Sequence, residues 1–158
     1  MSGATDTIAV IGTGTMGRGI AQTLAAAGYT VLVFDKRSEA ADAAVAFACQ
    51  MMDRAAEKGR MSPADAQAAK VRLRVVAHLS DLAPAQMAIE AIVEALDAKQ
   101  ALFAELEGIM DADAVLATNT SSLSVSAIAA GTRAPGRVVG LHFFNPVPLM
   151  RIVEVIPG

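Results

Sequence analysis

Thr7-Ile8-Ala9-Val10-Ile11-Gly12-Thr13-Gly14-Thr15-Met16-Gly17 is the stretch that decides the fold. A short β-branched apolar run opens onto three glycines spaced G-x-G-x-x-G. Met16, Ile20, Leu24 and Ala27 then recur at helical spacing, and Gly28 stands where a helix C-cap is expected. Strand, glycine turn and helix, in that order, form a holder for a dinucleotide pyrophosphate. Gly12 permits the tight turn, Gly14 lets the backbone approach the phosphates, and Gly17 lets helix and strand pack closely. The free amides and positive dipole end of the helix, with Thr15 and Met16 in its first turn, attract the phosphates. Alone, this spacing is also found in ordinary turns between a strand and a helix. The flanking strand and helix supply the context the motif requires.

The next strand, Thr30-Val-Leu-Val-Phe34, ends at Asp35. A carboxylate there accepts hydrogen bonds from the adenine ribose hydroxyls and repels a 2′-phosphate, so NAD is expected over NADP. Lys36 and Arg37 offset part of that repulsion. A solvated strand-end residue is the plain alternative for Asp35.

Further along, the pattern predicts a helix from Ser38 to about Lys58, closed by Gly59. A second helix starts at Ser62-Pro63 with proline at its first position, and Val71 to Val76 reads as a strand. Met87 to Val93 is a strand, Asp97 to Met110 an amphipathic helix, Val115 to Thr118 a strand and Val125 to Ala130 a short helix. Val138 to Phe143 and Arg151 to Ile156 are the last strands. Strands alternating with helices imply an α/β, Rossmann-type, doubly wound and mostly parallel sheet, spanning residues 1–158 as one NAD-binding domain.

Size and charge narrow the function classes. A chain of 158 residues is about one domain and can bury a real core. Hydrophobic residues make up 54% of it, much of them alanine. That excess reads as alanine-rich helix surface, with an apolar docking face as the alternative. The net charge of −3, the single tyrosine and the absence of tryptophan argue against nucleic acid as a partner. Cys49 is the only cysteine, so no internal disulfide forms, and it has no neighbouring metal-ligand spacing. No metal is expected, and a reducing, cytoplasmic home fits best. No apolar run reaches the roughly 20 residues of a membrane span.

Two segments at strand ends carry the candidate chemistry: Asn119-Thr-Ser-Ser-Leu123, and His142-Phe-Phe-Asn-Pro-Val-Pro148 leading to Glu154. In an open parallel sheet, ligands bind beyond the carboxyl ends of the strands. The connection Asn145 to Met150 is too short for a parallel crossover, so the final strand is expected to run antiparallel to its predecessor. A hairpin symmetric about Pro148 sets His142 directly across from Glu154, within hydrogen-bond reach. A one-residue slip would undo that pairing. A histidine with a carboxylate partner is a suitable proton acceptor near neutral pH. A satisfied core histidine is an equally ordinary reading of the same residue. Ser121 could bind a substrate oxygen. Either serine could instead cap the following helix, and for Ser122 the cap is the favoured reading.

Taken together, Gly12-Thr-Gly14-Thr-Met16-Gly17, Glu90-Ala-Ile-Val-Glu94, Asn119-Thr-Ser-Ser122 and His142-Phe-Phe-Asn-Pro-Val-Pro148 resemble the L-3-hydroxyacyl-CoA dehydrogenases, nearest the bacterial 3-hydroxybutyryl-CoA and 3-hydroxyadipyl-CoA branches. The resemblance covers essentially the whole chain. It implies NAD-dependent oxidation of the 3-hydroxyl of an acyl-CoA to a ketone, in fatty acid or aromatic-acid degradation. It implies that His142 is the catalytic base and Glu154 its orienting carboxylate. By the same resemblance Ser121 contacts substrate and nicotinamide, Asn145 lies beside the nicotinamide, and Glu94 and Lys99 contact the cofactor. The plain alternatives for those last two are a strand-end carboxylate and an exposed helical lysine. The CoA-binding helix falls around Arg54, Lys58 and Arg60, where a solvated charged face is at least as good a reading. The family continues into a helical C-terminal domain that completes the cleft and makes a homodimer; that domain is absent from this sequence. The isolated chain is therefore expected to bind NAD and to turn over acyl-CoA poorly or not at all. Two rivals remain. One is a dehydrogenase of free β-hydroxyacids, which lacks the His-Phe-Phe-Asn-Pro block and usually has a basic residue where Asp35 stands. The other is a non-catalytic NAD-binding module.

Overall fold

A computed structural model describes residues 6–158; the first five residues of the expected domain lie outside it. In chain order the first half runs β1 (Thr7–Ile11), α1 (Thr15–Ala27), β2 (Thr30–Phe34), α2 (Ser38–Glu57), α3 (Pro63–Arg72) and β3 (Leu73–Val75). The second half runs β4 (Met87–Glu90), α4 (Leu96–Ile109), β5 (Val115–Thr118), α5 (Val125–Ala129), β6 (Val138–Phe143) and β7 (Val153–Pro157). The strands form one sheet in the order β3-β2-β1-β4-β5-β6-β7. Every pairing is parallel except β6 with β7. The chain leaves β1 toward one edge, then returns to β4 on its other side. The crevice at the carboxyl ends of β1 and β4 is therefore the topological switch point, where ligands bind in such sheets.

Both faces of the sheet are covered. Ile8 and Val10 of β1 pack with Val31, Val33, Ile20 and Met52 on the α1–α2–α3 face. Ala9 and Ile11 pack with Leu116, Phe103, Leu106 and Ile128 on the α4–α5 face. Alternation along a strand sends successive side chains to opposite faces, so a strand buried on both sides reads as a continuous apolar run. The same alternation puts Glu90 of β4 and Thr118 of β5, paired in register, on the face α4 covers.

Several boundaries differ from the sequence reading. Ser62 caps α3 by accepting the Asp65 amide, and the helix then runs to Arg72, through Val71. β3 therefore begins only at Leu73, where α3 ends, and pairs with Val31 to Val33 of β2. β4 stops at Glu90 rather than Val93, because the Glu90 carboxylate takes the Ile92 amide at 2.7 Å and ends the ladder. The last strand starts at Val153, since the amides of Leu149 and Met150 both turn back to the Pro146 carbonyl. Its register is the expected one: His142 pairs with Glu154 and Val139 with Pro157. Ser122 is not the cap of α5. Ser124 fills that place, its hydroxyl accepting the Ala127 amide at 3.2 Å, because the helix begins two residues later than Ser122 requires.

Candidate active site

The glycine turn leaves the start of α1 open. Gly12 adopts φ +91°, and a Cβ there would lie 2.6 Å from the Ala91 carbonyl oxygen. A Cβ on Gly17 would lie 1.8 Å from the Gly12 carbonyl oxygen, so only glycine allows this approach of helix to strand. Gly14 is the N-cap. It offers no side-chain cap, the first turn carries no acidic residue, and a Cβ there would meet nothing within 4 Å. The first amides of an α-helix have no partner within the helix. Here they face open space with the positive end of the dipole behind them, which suits a diphosphate. The residues present therefore fit the pyrophosphate of a dinucleotide.

Asp35 closes the adjoining cleft of about 630 Å³, which Gly12, Gly14, Phe34, Ile92 and Leu102 also line. Burial pushes its carboxyl pKa up. The Arg37 amide at 3.0 Å, the Thr13 hydroxyl at 2.7 Å and the Thr13 amide at 2.9 Å pull it down, as does the Arg37 charge. The outcome lies below the ordinary aspartate value, so Asp35 is an ionised acceptor. Thr13 escaped the sequence reading, although a hydroxyl next to a motif glycine is a visible signal.

On the other side of β1 and β4 lies a cavity of about 340 Å³, lined by Met16, Glu94, Lys99, Asn119, Ser121, His142 and Asn145 among others. The structure thus gathers five expected residues, Glu94, Lys99, Ser121, His142 and Asn145, around Met16 of the glycine motif, with Asn119 beside them. His142 Nδ1 meets Glu154 Oε2 at 2.8 Å, across the β6–β7 ladder. The imidazole is also tilted against the Phe144 ring at 4.6 Å. With Nδ1 engaged, Nε2 is the nitrogen left to exchange a proton. The loop after β6 is pinned at both ends. The Phe143 amide donates to Asn119 Oδ1 at 2.9 Å, and Val147 is buried against α1.

Beneath the cavity runs a polar chain that the sequence reading saw only in part. Lys99 is buried, not an exposed helical lysine. Its ammonium donates to Glu90 Oε1 at 2.6 Å and lies 3.1 Å from Glu94 Oε2. Thr118 donates to Glu90 Oε2 at 2.7 Å. Glu94 accepts the Thr120 hydroxyl, the Ser121 amide at 3.2 Å and the Ser122 hydroxyl at 3.3 Å. Burial pushes the Glu94 carboxyl up, but the Thr120 hydroxyl, the hydrogen bond and charge of Lys99 and the Ser121 amide bring it to about 2. Glu90 and Thr118 had a legible signal: polar residues at inward positions of buried strands, where an unpartnered group is costly. Lys99 had one too, since it shares a helical stripe with the buried Phe103 and Leu106.

Arg54, Lys58 and Arg60 stand exposed at the far end of α2 and line neither cleft. The helix starts beside Asp35, and 20 residues carry its end roughly 30 Å away.

A sheet that switches direction at β1 and β4, with open helix amides at that point, defines a Rossmann-type dinucleotide-binding domain. Residues 7–158 match the family model described as the 3-hydroxyacyl-CoA dehydrogenase NAD-binding domain. The chain belongs to the 3-hydroxyacyl-CoA dehydrogenase family, and NAD is the cofactor that its matching domain holds. It is 43% identical over 152 residues to the 3-hydroxyadipyl-CoA dehydrogenase of Escherichia coli (strain K12), covering 96% of this chain and 32% of that protein. It is also 43% identical over 151 residues to a probable 3-hydroxybutyryl-CoA dehydrogenase of Bacillus subtilis (strain 168), covering 96% and 53%. The crystal structure of an (S)-3-hydroxybutyryl-CoA dehydrogenase from Ralstonia eutropha superposes with a TM-score of 0.93 at 37% identity, over 98% of this chain and 55% of that one. The chain thus spans from about a third to about half the length of these relatives. No helix among the described residues is long and apolar enough to cross a membrane.

Proposed function

We propose that this chain is the NAD-holding domain, residues 1–158, of an enzyme that oxidises an L-3-hydroxyacyl-CoA to the 3-ketoacyl-CoA. The observation that supports this best is one shared cavity. Met16 of the cofactor turn and the His142–Glu154 pair line or adjoin the same 340 Å³ space. A proton acceptor therefore stands beside the place a dinucleotide reaches from the glycine turn.

Each residue has a role in this reading. The amides at Gly14, Thr15, Met16 and Gly17 bind the diphosphate, Gly12 shapes the turn that exposes them while its own amide donates to the Phe34 carbonyl, and Asp35 accepts from the ribose hydroxyls. Glu94 and Lys99 form the cofactor-side wall. Ser121 and Asn145 orient the reacting hydroxyl and the nicotinamide. Bound NAD supplies the hydride acceptor. His142 takes the hydroxyl proton at Nε2, while Glu154 fixes the tautomer and stabilises the imidazolium. Arg54 and Lys58 are the proposed contacts to the CoA phosphates. The proposed partner of the whole enzyme is a second copy, and its setting is fatty acid or aromatic-acid degradation in the cytoplasm.

The test is a calorimetric titration of the chain with NAD and then acetoacetyl-CoA, followed by kinetics in the whole enzyme. His142→Gln should lower turnover of 3-hydroxybutyryl-CoA by about 10² to 10⁴-fold and leave NAD affinity nearly normal. Near-normal turnover would refute the role of His142.

A further inference from the structure

The charge beneath the cavity is unbalanced. Glu90 and Lys99 have side-chain exposures of 0% and 1% and meet at 2.6 Å. Lys99 also reaches Glu94, whose side chain is 37% exposed, at 3.1 Å. The other hydrogen-bonding partners of both carboxylates are neutral hydroxyls and amides. One ammonium therefore faces two carboxylates. The shorter contact is to the buried one, so the Lys99 charge is largely consumed inside the protein. Glu94 carries the surplus negative charge to the cavity wall. Among the described residues the other ionisable side chains lining that wall are Lys99 itself and His142, whose Nδ1 is already tied to Glu154.

A nicotinamide ring carries a positive charge when oxidised and none when reduced. A fixed negative charge thus discriminates between the two forms, whereas shape, hydrogen bonding and stacking treat them more alike. We propose that the Glu90–Lys99–Glu94 cluster sets the redox preference of the site, favouring the oxidised cofactor over the reduced one. Glu90 acts as the positioning residue: by neutralising Lys99 it leaves Glu94 uncompensated. This rests on the reading that the cavity takes the nicotinamide end of NAD. It follows that the site loads preferentially with the oxidised cofactor, and by the same factor hydride transfer to the bound cofactor is made less favourable than in free solution. Glu94 stays ionised throughout the neutral range, so the preference holds across it.

The inference makes predictions of opposite sign. The dissociation constants of NAD+ and NADH are measured for the wild-type chain and for Glu90→Gln, Glu94→Gln and Lys99→Met. One pH is used, above about 7.5, where an ordinary histidine is neutral. A unit charge acting over about 10 Å at an effective dielectric near 20 changes a binding equilibrium on the order of tenfold. The ratio Kd(NAD+)/Kd(NADH) should rise by about that factor in Glu90→Gln and Glu94→Gln, and fall in Lys99→Met. If loss of a buried partner prevents Glu90→Gln or Lys99→Met from folding, Glu94→Gln, altered at a partly exposed group, decides. A ratio constant within about twofold, with both affinities falling together, would mean the cluster acts through shape alone and would overturn the inference. A wild-type chain that binds neither form overturns the cofactor reading, and this inference with it.

Discussion

Asp35 shows how one side chain can serve both structure and recognition. Its two oxygens accept the Thr13 amide and hydroxyl and the Arg37 amide, so the carboxylate is held in one place while still ionised. Asp35→Ala removes the acceptor for a ribose diol and the repulsion of a 2′-phosphate. NAD binding should weaken, and the preference over NADP should narrow; titration with both cofactors checks this, and unchanged affinities would defeat the assignment. Glu94 offers a pH test. Its folded pKa of about 2 lies below the ordinary glutamate value of 4.5. Between those values the unfolded chain binds more protons, so the Glu94 contribution is present above about 4.5 and is lost as pH falls toward 2. Urea midpoints measured across that window should fall less steeply in Glu94→Gln than in wild type. At this scale the sequence was partly legible. Glu94 and Lys99 stand out in the sequence by resemblance, but the role of Glu90 does not, because its partner lies nine residues on and only the fold turns that helix face toward it.

At the scale of elements, the site depends on how closely α1 meets β1. Gly17→Ala would place a methyl group 1.8 Å from the Gly12 carbonyl oxygen, so helix and turn must separate. Overpacking of this kind typically costs about 1–3 kcal/mol, and the shifted amides should bind NAD at least tenfold more weakly. Urea unfolding and calorimetry read the two effects separately. The start of α5 gives a cleaner test away from the site. Ser124→Ala removes the hydroxyl that accepts the Ala127 amide and should cost about 1 kcal/mol, whereas Ser122→Ala should not affect the cap. The glycine turn located the start of α1, and the sequence reading of α5 from Val125 matches the structure. Ser122, the cap expected from the sequence, is drawn instead to Glu94, a contact 28 positions distant in the chain, and Ser124 takes its place.

At the scale of the whole molecule, cofactor binding and folding are one equilibrium. A ligand that binds only the folded state adds about 2.7 kcal/mol of stability at 100 times its Kd. For a chain of 158 residues that corresponds to a rise in Tm of roughly 5–10 °C. NAD should produce this shift in the wild-type chain and little of it in Gly17→Ala at the same concentration, as read by thermal melts. What the amino-acid order determined by itself was local: strand, turn and helix periodicity, the glycine geometry, the carboxylate after β2, and a hairpin short enough to force an antiparallel pair. Those follow from backbone sterics and side-chain spacing, which act within a few residues. The tertiary structure alone decided that Met16, Glu94, Ser121 and His142 share one cavity, that Lys99 is buried between two carboxylates, and that Arg54 and Lys58 stand far from both clefts. These depend on the order of strands across the sheet and on which helix covers which face, and the hydrogen bonds that hold Glu94 and Asp35 ionised against their burial exist only once those layers have closed.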